Sequence, residues 1–244
     1  MKSFALLAIP VMVLTLVACA KMEFEKDIIE TTSGNLEITF IGHGTLMFAF
    51  GGKTIHVDPW SKLADYSARP KADVILITHE HGDHFDPKAI AALRTSETAV
   101  FAPENCARQI EGSAVINNGD VKTVGEITIE AVPAYNLVHM RDNGTPYHLK
   151  GVGNGYVITL GDKRVYVAGD TENTPEMKAL EKIGVAFLPL NIPYTMTLEM
   201  FVDAARAVKP KVLYPYHYAR SNPSQVVELL KDTPEIEVRI RRME

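Results

Sequence analysis

The sequence predicts an α/β fold, and three observations predict it. Short apolar runs rich in β-branched residues, such as Val74-Ile75-Leu76-Ile77, alternate with segments whose apolar residues recur at helical spacing, such as Phe201, Ala204, Ala205 and Val208. The chemically active side chains cluster just beyond the predicted strands, where open α/β sheets carry their sites. Hydrophobic residues are 46% and charged residues 23% of the chain, the balance of a packed domain.

The elements follow in order. Lys2 and the apolar stretch Phe4 to Val17, too short to span a bilayer comfortably, read as an export signal. Lys21 to Gly34 is mixed and polar and reads as a tether. Leu36 to Ile41 alternates as a strand, Gly42-His43-Gly44 breaks it, and Leu46 to Phe50 and Thr54 to Val57 form a hairpin around Gly51-Gly52-Lys53. Asp58-Pro59-Trp60 closes that strand. After Val74 to Ile77, Asp86 caps and Pro87 opens a helix through Ala89, Ile90, Ala92 and Leu93. A strand over Ala99 to Ala102 and a helix over Glu104 to Ile110 come next. Ala114 to Ile116, Val121 to Val124 and Ile127 to Val132 read as a strand meander. A long polar loop, Met140 to Asn154, precedes a hairpin of Tyr156 to Leu160 and Arg164 to Ala168. Pro175 to Ile183 is a predicted helix and Val185 to Leu188 a buried strand. In the loop that follows, Tyr194 and Met196 are candidates to shape a substrate mouth, with core filling the plainer role for Met196. Thr197 caps a helix to Val208. Val212 to Tyr214, a helix over Ser224 to Lys231 and a strand over Ile236 to Ile240 complete the chain.

The chemistry concentrates in His79-Glu80-His81-Gly82-Asp83-His84. The chain has eight histidines, so three within six positions is an excess that a surface loop does not explain. If this loop begins extended, His79 and His81 point the same way and can grip one cation. Asp83 and His84 lie past the Gly82 bend and can face a second. Imidazole and carboxylate suit zinc, with iron or manganese as alternatives. The net charge is −5, and the first basic run is Arg239-Ile240-Arg241-Arg242 at the very end, which argues against a nucleic-acid substrate. Cys106, on a predicted helix, reads as a small half-buried hydrophobe with no disulfide partner.

This motif resembles the HxHxDH signature of the metallo-β-lactamase fold superfamily, and the resemblance runs from about Leu36 to the end of the chain. It implies a four-layer αββα sandwich of two mixed β-sheets with outer helices. It also implies a hydrolase with two divalent metal ions, foremost zinc. The ions would polarise the scissile group and bring the pKa of a shared water towards about 7. By this resemblance Asp170, in Gly169-Asp170-Thr171, bridges the two ions, and His217 completes the second site with Asp83 and His84. Asp83 also serves as general base.

The first ion needs a third histidine, and Asn136, His139 and His148 are candidates. The branch that includes ascorbate-phosphate lactonases and N-acyl-phosphatidylethanolamine phospholipase D-like proteins is similar in Ala134-Tyr135-Asn136, His148-Leu149-Lys150-Gly151 and Gly155-Tyr156. That favours His148, with His139 as the alternative. The same branch carries Gly-His-Ser and Asp-Pro where this chain has Gly42-His43-Gly44 and Asp58-Pro59, with Gly44 in place of the Ser. Asp58 then orients a ligand histidine, and His43 lines the rim. His56 reads as a satisfied core histidine.

The substrates implied are small molecules or lipids carrying an ester, lactone or phosphodiester bond. Antibiotic β-lactamases do not carry an Asp at the position of Asp170, which disfavours that activity. A non-catalytic metal-binding envelope lipoprotein and a di-iron oxidoreductase are the alternative readings, although no flavin domain follows. Leu16-Val17-Ala18-Cys19 resembles the lipobox of bacterial lipoproteins. It implies removal of residues 1–18 as a signal peptide, a lipid on Cys19, a tether over 19–34 and a folded domain over 35–244. The chain is then membrane-held in the cell envelope, at the outer membrane of a Gram-negative cell because Ala20 rather than Asp follows the cysteine.

Overall fold

The structure, a computed structural model, describes residues 23–244. The lipobox-like stretch Leu16-Val17-Ala18-Cys19 and the signal peptide expected there lie outside the described residues. The first sheet runs β1 (Glu25–Thr31), β2 (Gly34–Gly42), β3 (Thr45–Phe50), β4 (Lys53–Val57), β5 (Val74–Leu76), β6 (Ala99–Ala102) and β7 (Ala114–Val115), with α1 (Pro87–Leu93) and α2 (Glu104–Ala107) on its flank. The second contains β8 (Val121–Val124), β9 (Ile127–Ala134), β10 (Gly153–Leu160), β11 (Lys163–Val167), β12 (Val185–Pro189), β13 (Val212–Tyr216) and β14 (Glu237–Val238). Helices α3 (Pro175–Lys178), α4 (Leu198–Val208) and α5 (Ser224–Leu229) accompany it. In each sheet the first four strands pair antiparallel and the last four parallel, so the halves share one plan. This is the four-layer αββα sandwich that the resemblance implies.

Period-two burial explains the layers. Val74 and Leu76 of β5 enter the core between the sheets, beside Phe48 and Phe187. Ile75 and Ile77 face the other way, against Ile90 and Leu93 of α1. Asp86 caps α1 by accepting from the backbone N–H groups of Lys88 and Ala89. On the second sheet, Phe201, Ala204, Ala205 and Val208 of α4 join the core. Cys106 and Met196 are fully buried, and burial pushes the Cys106 thiol up to about 12.

Several sequence expectations are corrected. Glu25–Thr31 is not tether but the edge strand β1, paired with β2 over seven residues. It buries only one side, and partly, so its charges hid it. Asp27 accepts from Arg241 at 2.7 Å and Tyr214 at 2.5 Å, which pins the strand to the far end of the chain. The expected meander is split: β7 closes the first sheet and β8 opens the second, with the turn at Asn117–Asp120 passing between them. The helix expected to reach Ile183 ends at Lys178, and the last strand shrinks to Glu237–Val238.

Candidate metal centre

The parallel strands of both sheets end on one edge. The Thr78–His84 loop follows β5, Asp170 follows β11, and His217 follows β13. Asp58, just past β4, organises the first of these. Its buried carboxylate accepts from Thr78 N (2.8 Å), Thr78 Oγ1 (2.6 Å) and His84 Nδ1 (2.8 Å). Because the Thr78 hydroxyl donates to Asp58, it can only accept from His79 Nδ1, at 2.9 Å. One carboxylate therefore fixes the tautomers of two histidines, and both turn an Nε2 lone pair towards the edge.

Asn136 does the same for His148. Its Oδ1 accepts from His148 N (2.9 Å) and Nδ1 (2.7 Å), which leaves Nε2 facing inward. The Asn136 amide nitrogen donates to Glu172 and to the Tyr194 carbonyl. His217 Nδ1 lies 3.2 Å from the Asn191 amide, whose carbonyl oxygen must turn there if His217 is to free its Nε2. The backbone also clasps across the edge, because His217 N donates to the His43 carbonyl at 3.0 Å. His43, Asp58 and His217 all adopt left-handed φ of 51°, 45° and 46°, conformations that cost non-glycine residues about 1–3 kcal/mol and collect at functional sites.

Two donor clusters result. Nε2 of His79 and Nε2 of His148 lie 3.1 and 3.2 Å from Nδ1 of His81. His84 Nε2 and His217 Nε2 lie 3.0 Å apart, with Asp83 Oδ2 at 3.9 and 3.6 Å from them. Asp170 stands between: Oδ2 is 3.9 Å from His79 and 3.5 Å from His148, and Oδ1 is 3.5 Å from both His84 and His217. Asp170 Oδ1 is buried with no hydrogen-bond partner. A buried carboxylate oxygen among imidazole lone pairs needs a cation, and this nitrogen-rich donor set fits divalent transition metals.

The electrostatics agree. Burial alone would raise Asp170, yet His217, His84, His79 and His148 hold it far below the ordinary carboxylate range. Burial lowers His79 and takes His148 down to about 4, so both are neutral at pH 7, the form that binds metal. Burial also opposes protonation of His84, but Asp170, Asp58 and Asp83 overcome it and raise the imidazole to about 9. Where three carboxylates gather around one ring, positive charge is in demand.

The structure thus brings together His79, His81, Asp83, His84, His148, Asp170 and His217, with Asp58 behind them. It adds His43, whose Nε2 is 3.0 Å from Asp83 Oδ2 and whose ring lies 3.8 Å from that of His217. His139 is not at the cluster. Its Nδ1 turns to Glu172 Oε1 at 2.5 Å. Tyr194 lines a cavity of about 410 Å³ over the cluster, its ring edge-on to Tyr147. His56 is fully buried, as expected of a core histidine, but only half satisfied: Nε2 is 3.2 Å from the Pro70 carbonyl and Nδ1 has no hydrogen-bond partner. Sequence reasoning missed Thr78, Glu172, Asn191 and Arg141. Glu172 accepts from the N–H groups of Leu137, Val138 and His139 and so shapes the loop that carries Asn136. An acidic residue two places after Asp170 was the signal available.

Gly44 is required by the site: a Cβ there would stand 2.6 Å from His84 Cε1. A Ser at position 44 therefore cannot sit here without moving His84.

The sequence profile of the beta-lactamase superfamily domain matches residues 37–217. The chain belongs to the metallo-β-lactamase superfamily. Within that superfamily, a UPF0173 metal-dependent hydrolase of Archaeoglobus fulgidus is 30% identical over 200 residues, 75% of this chain and 83% of that protein. One from Staphylothermus marinus is 29% identical, covering 80% of this chain and 91% of its own. A crystal structure of a protein assigned as a metal-dependent hydrolase, from Parabacteroides distasonis, superposes with a TM-score of 0.86 at 49% identity, covering 91% of this chain and all of that one.

Proposed function

We propose that this member of the superfamily is a hydrolase with a dinuclear centre, foremost zinc, that directs water against an ester, lactone or phosphodiester bond. The observation that carries this reading is Asp170, whose two oxygens face two separate histidine clusters. His79, His81 and His148 would hold the first ion and Asp83, His84 and His217 the second, with Asp170 between the two clusters. Cations held there would supply polarisation of the scissile group and a more acidic attacking water. Asp83 takes the water's proton at the cavity floor. Against the opposing effect of burial, His217 and His43 hold its carboxylate ionised, the form that can accept a proton. His43 Nε2, 3.0 Å away, donates to that carboxylate and orients it. The names of the UPF0173 relatives and of the Parabacteroides protein support a metal-dependent hydrolase.

Elemental analysis of protein purified without chelator should give close to two ions per chain. Hydrolysis of a generic lactone or phosphodiester should vanish on chelation and return with metal. One ion or none in an active preparation refutes the dinuclear reading. The lipobox supports an envelope address, with a lipid on Cys19. Cys19→Ala should then end labelled fatty-acid incorporation and membrane fractionation, and continued labelling refutes it.

A further inference from the structure

We infer that Arg141 and His81 together bind an anionic group that the substrate carries beside its scissile bond, a carboxylate or a phosphate. The inference rests on the hydrolase reading for the word substrate, and on the geometry of two donors for the rest.

His81 is the one cluster histidine that turns Nδ1 inward, 3.1 Å from His79 Nε2 and 3.2 Å from His148 Nε2. An imidazole that offers its Nδ1 lone pair carries its proton on Nε2. That N–H points away from the cluster, and Nη2 of Arg141 lies 3.4 Å from it. A guanidinium has no acceptor, so neither group satisfies the other. Arg141 Nη2 has one side-chain hydrogen bond to an acceptor among the described residues, to the Tyr147 carbonyl at 3.2 Å. No carboxylate pairs with it there, although acidic partners hold Arg164, Arg206, Arg239 and Arg241.

The guanidinium is held in place. Arg141 N donates to Thr145 O and Gly144 N to Arg141 O, both at 2.8 Å, at the tip of a small hairpin closed by a bridge between Met140 and Pro146. Its guanidinium lies 5.0 Å from the Tyr147 ring, which packs edge-on against Tyr194. Arg141 and His81 both line the 410 Å³ cavity that reaches Asp83 and Asp170. Two neighbouring N–H donors facing one cavity match the paired oxygens of a carboxylate or phosphate, and a fixed guanidinium binds either one bidentately.

The test compares two esters with the same leaving group, 4-nitrophenyl acetate and 4-nitrophenyl hydrogen succinate, on the metal-loaded protein. In Arg141→Gln the ratio of kcat/KM for succinate over acetate should fall at least about tenfold, the scale of a lost charge-assisted hydrogen bond. Arg141→Lys should recover part of it. A purely structural role of Arg141 would lower both esters together and leave the ratio within twofold, which overturns the inference. A second arm measures binding of succinate and of phenyl phosphate by calorimetry, and the tighter of the two names the anion. Equal affinities in wild type and Arg141→Gln overturn the anion site whatever the activity. If the metal-loaded wild type cleaves neither ester, nor a generic lactone or phosphodiester, yet Arg141→Gln loses anion affinity, the anion site stands and the hydrolase reading falls.

Discussion

Replacing Asp58 by Asn should weaken metal binding without touching a metal ligand. The carboxylate accepts from Thr78 N with one oxygen, and from Thr78 Oγ1 and His84 Nδ1 with the other. An amide has a single acceptor. If its oxygen stays on Thr78 N, its NH₂ faces His84 Nδ1, which must give up its proton. The imidazole proton then moves to Nε2, the atom that faces Asp170 and His217. If the amide turns over instead, its NH₂ opposes the buried Thr78 N–H, an unsatisfied donor costing about 1–3 kcal/mol. Either outcome amounts to roughly 10- to 100-fold in affinity, as for other residues that orient metal ligands. The apo protein should lose much less, because burial raises the Asp58 pKa, and a neutral amide escapes that desolvation cost. The assay is competition with a chromophoric chelator, which resolves two stepwise constants, alongside melting of apo and loaded protein. The expected result is weakened stepwise constants, since His79 and His84 serve different ions, and a smaller stabilisation by metal. Two wild-type constants in Asp58→Asn would refute the tautomer argument.

Three further outcomes follow from the same geometry. Asp170→Asn keeps size but removes the charge between the clusters, so kcat should fall at least about a hundredfold; a near-wild-type rate at full occupancy would refute the bridging role. His148→Ala should lose an ion by metal analysis, whereas His139→Ala, whose ring turns to Glu172, should keep both; the reverse pattern would make His139 the ligand. His56 is buried, and burial lowers its pKa from 6.5 to about 4. Between those values the unfolded chain binds a proton that the folded one refuses, so stability falls as pH drops from about 6.5 to 4, by up to ~1.4 kcal/mol per pH unit. Urea titrations of wild type and His56→Gln should diverge across that window, and parallel curves would show that His56 titrates normally.

The core strands were legible because both faces of β5 are buried, so Val74 to Ile77 reads as one apolar run. The helix after it was legible from Asp86 and Pro87. β1 was not, because an edge strand draws its stability from the ladder and from Asp27, and leaves no apolar stripe. At the site, side chains adjacent in sequence could be read as a cluster from spacing alone. The partners of His148 could not: Asn136 is twelve residues away and was weighed as a ligand, when its role is to hold the imidazole. Arg141 was invisible in a polar loop because its significance lies in the direction of a tautomer, which spacing does not encode.

The entry point of the chain has a consequence for orientation. Glu25 pairs with Phe40, so β1 starts at the same edge of the sandwich where β2 delivers His43. Leu137, Val138, Met140, Leu149 and Ile192 are exposed on the loops flanking Asn136, His148 and Asn191 at that edge. Glu23 is four residues from Cys19, and four residues reach at most about 14 Å. A lipid on that cysteine would act as a short leash and hold the open end of the sandwich against the bilayer, with the greasy rim touching headgroups. Water-soluble anions would then arrive sideways, between protein and membrane, whereas a lipid would need only to rise partway out of its leaflet. Lengthening the leash with a glycine-serine insert after Ala20 would relax that geometry and leave every residue of the centre unchanged.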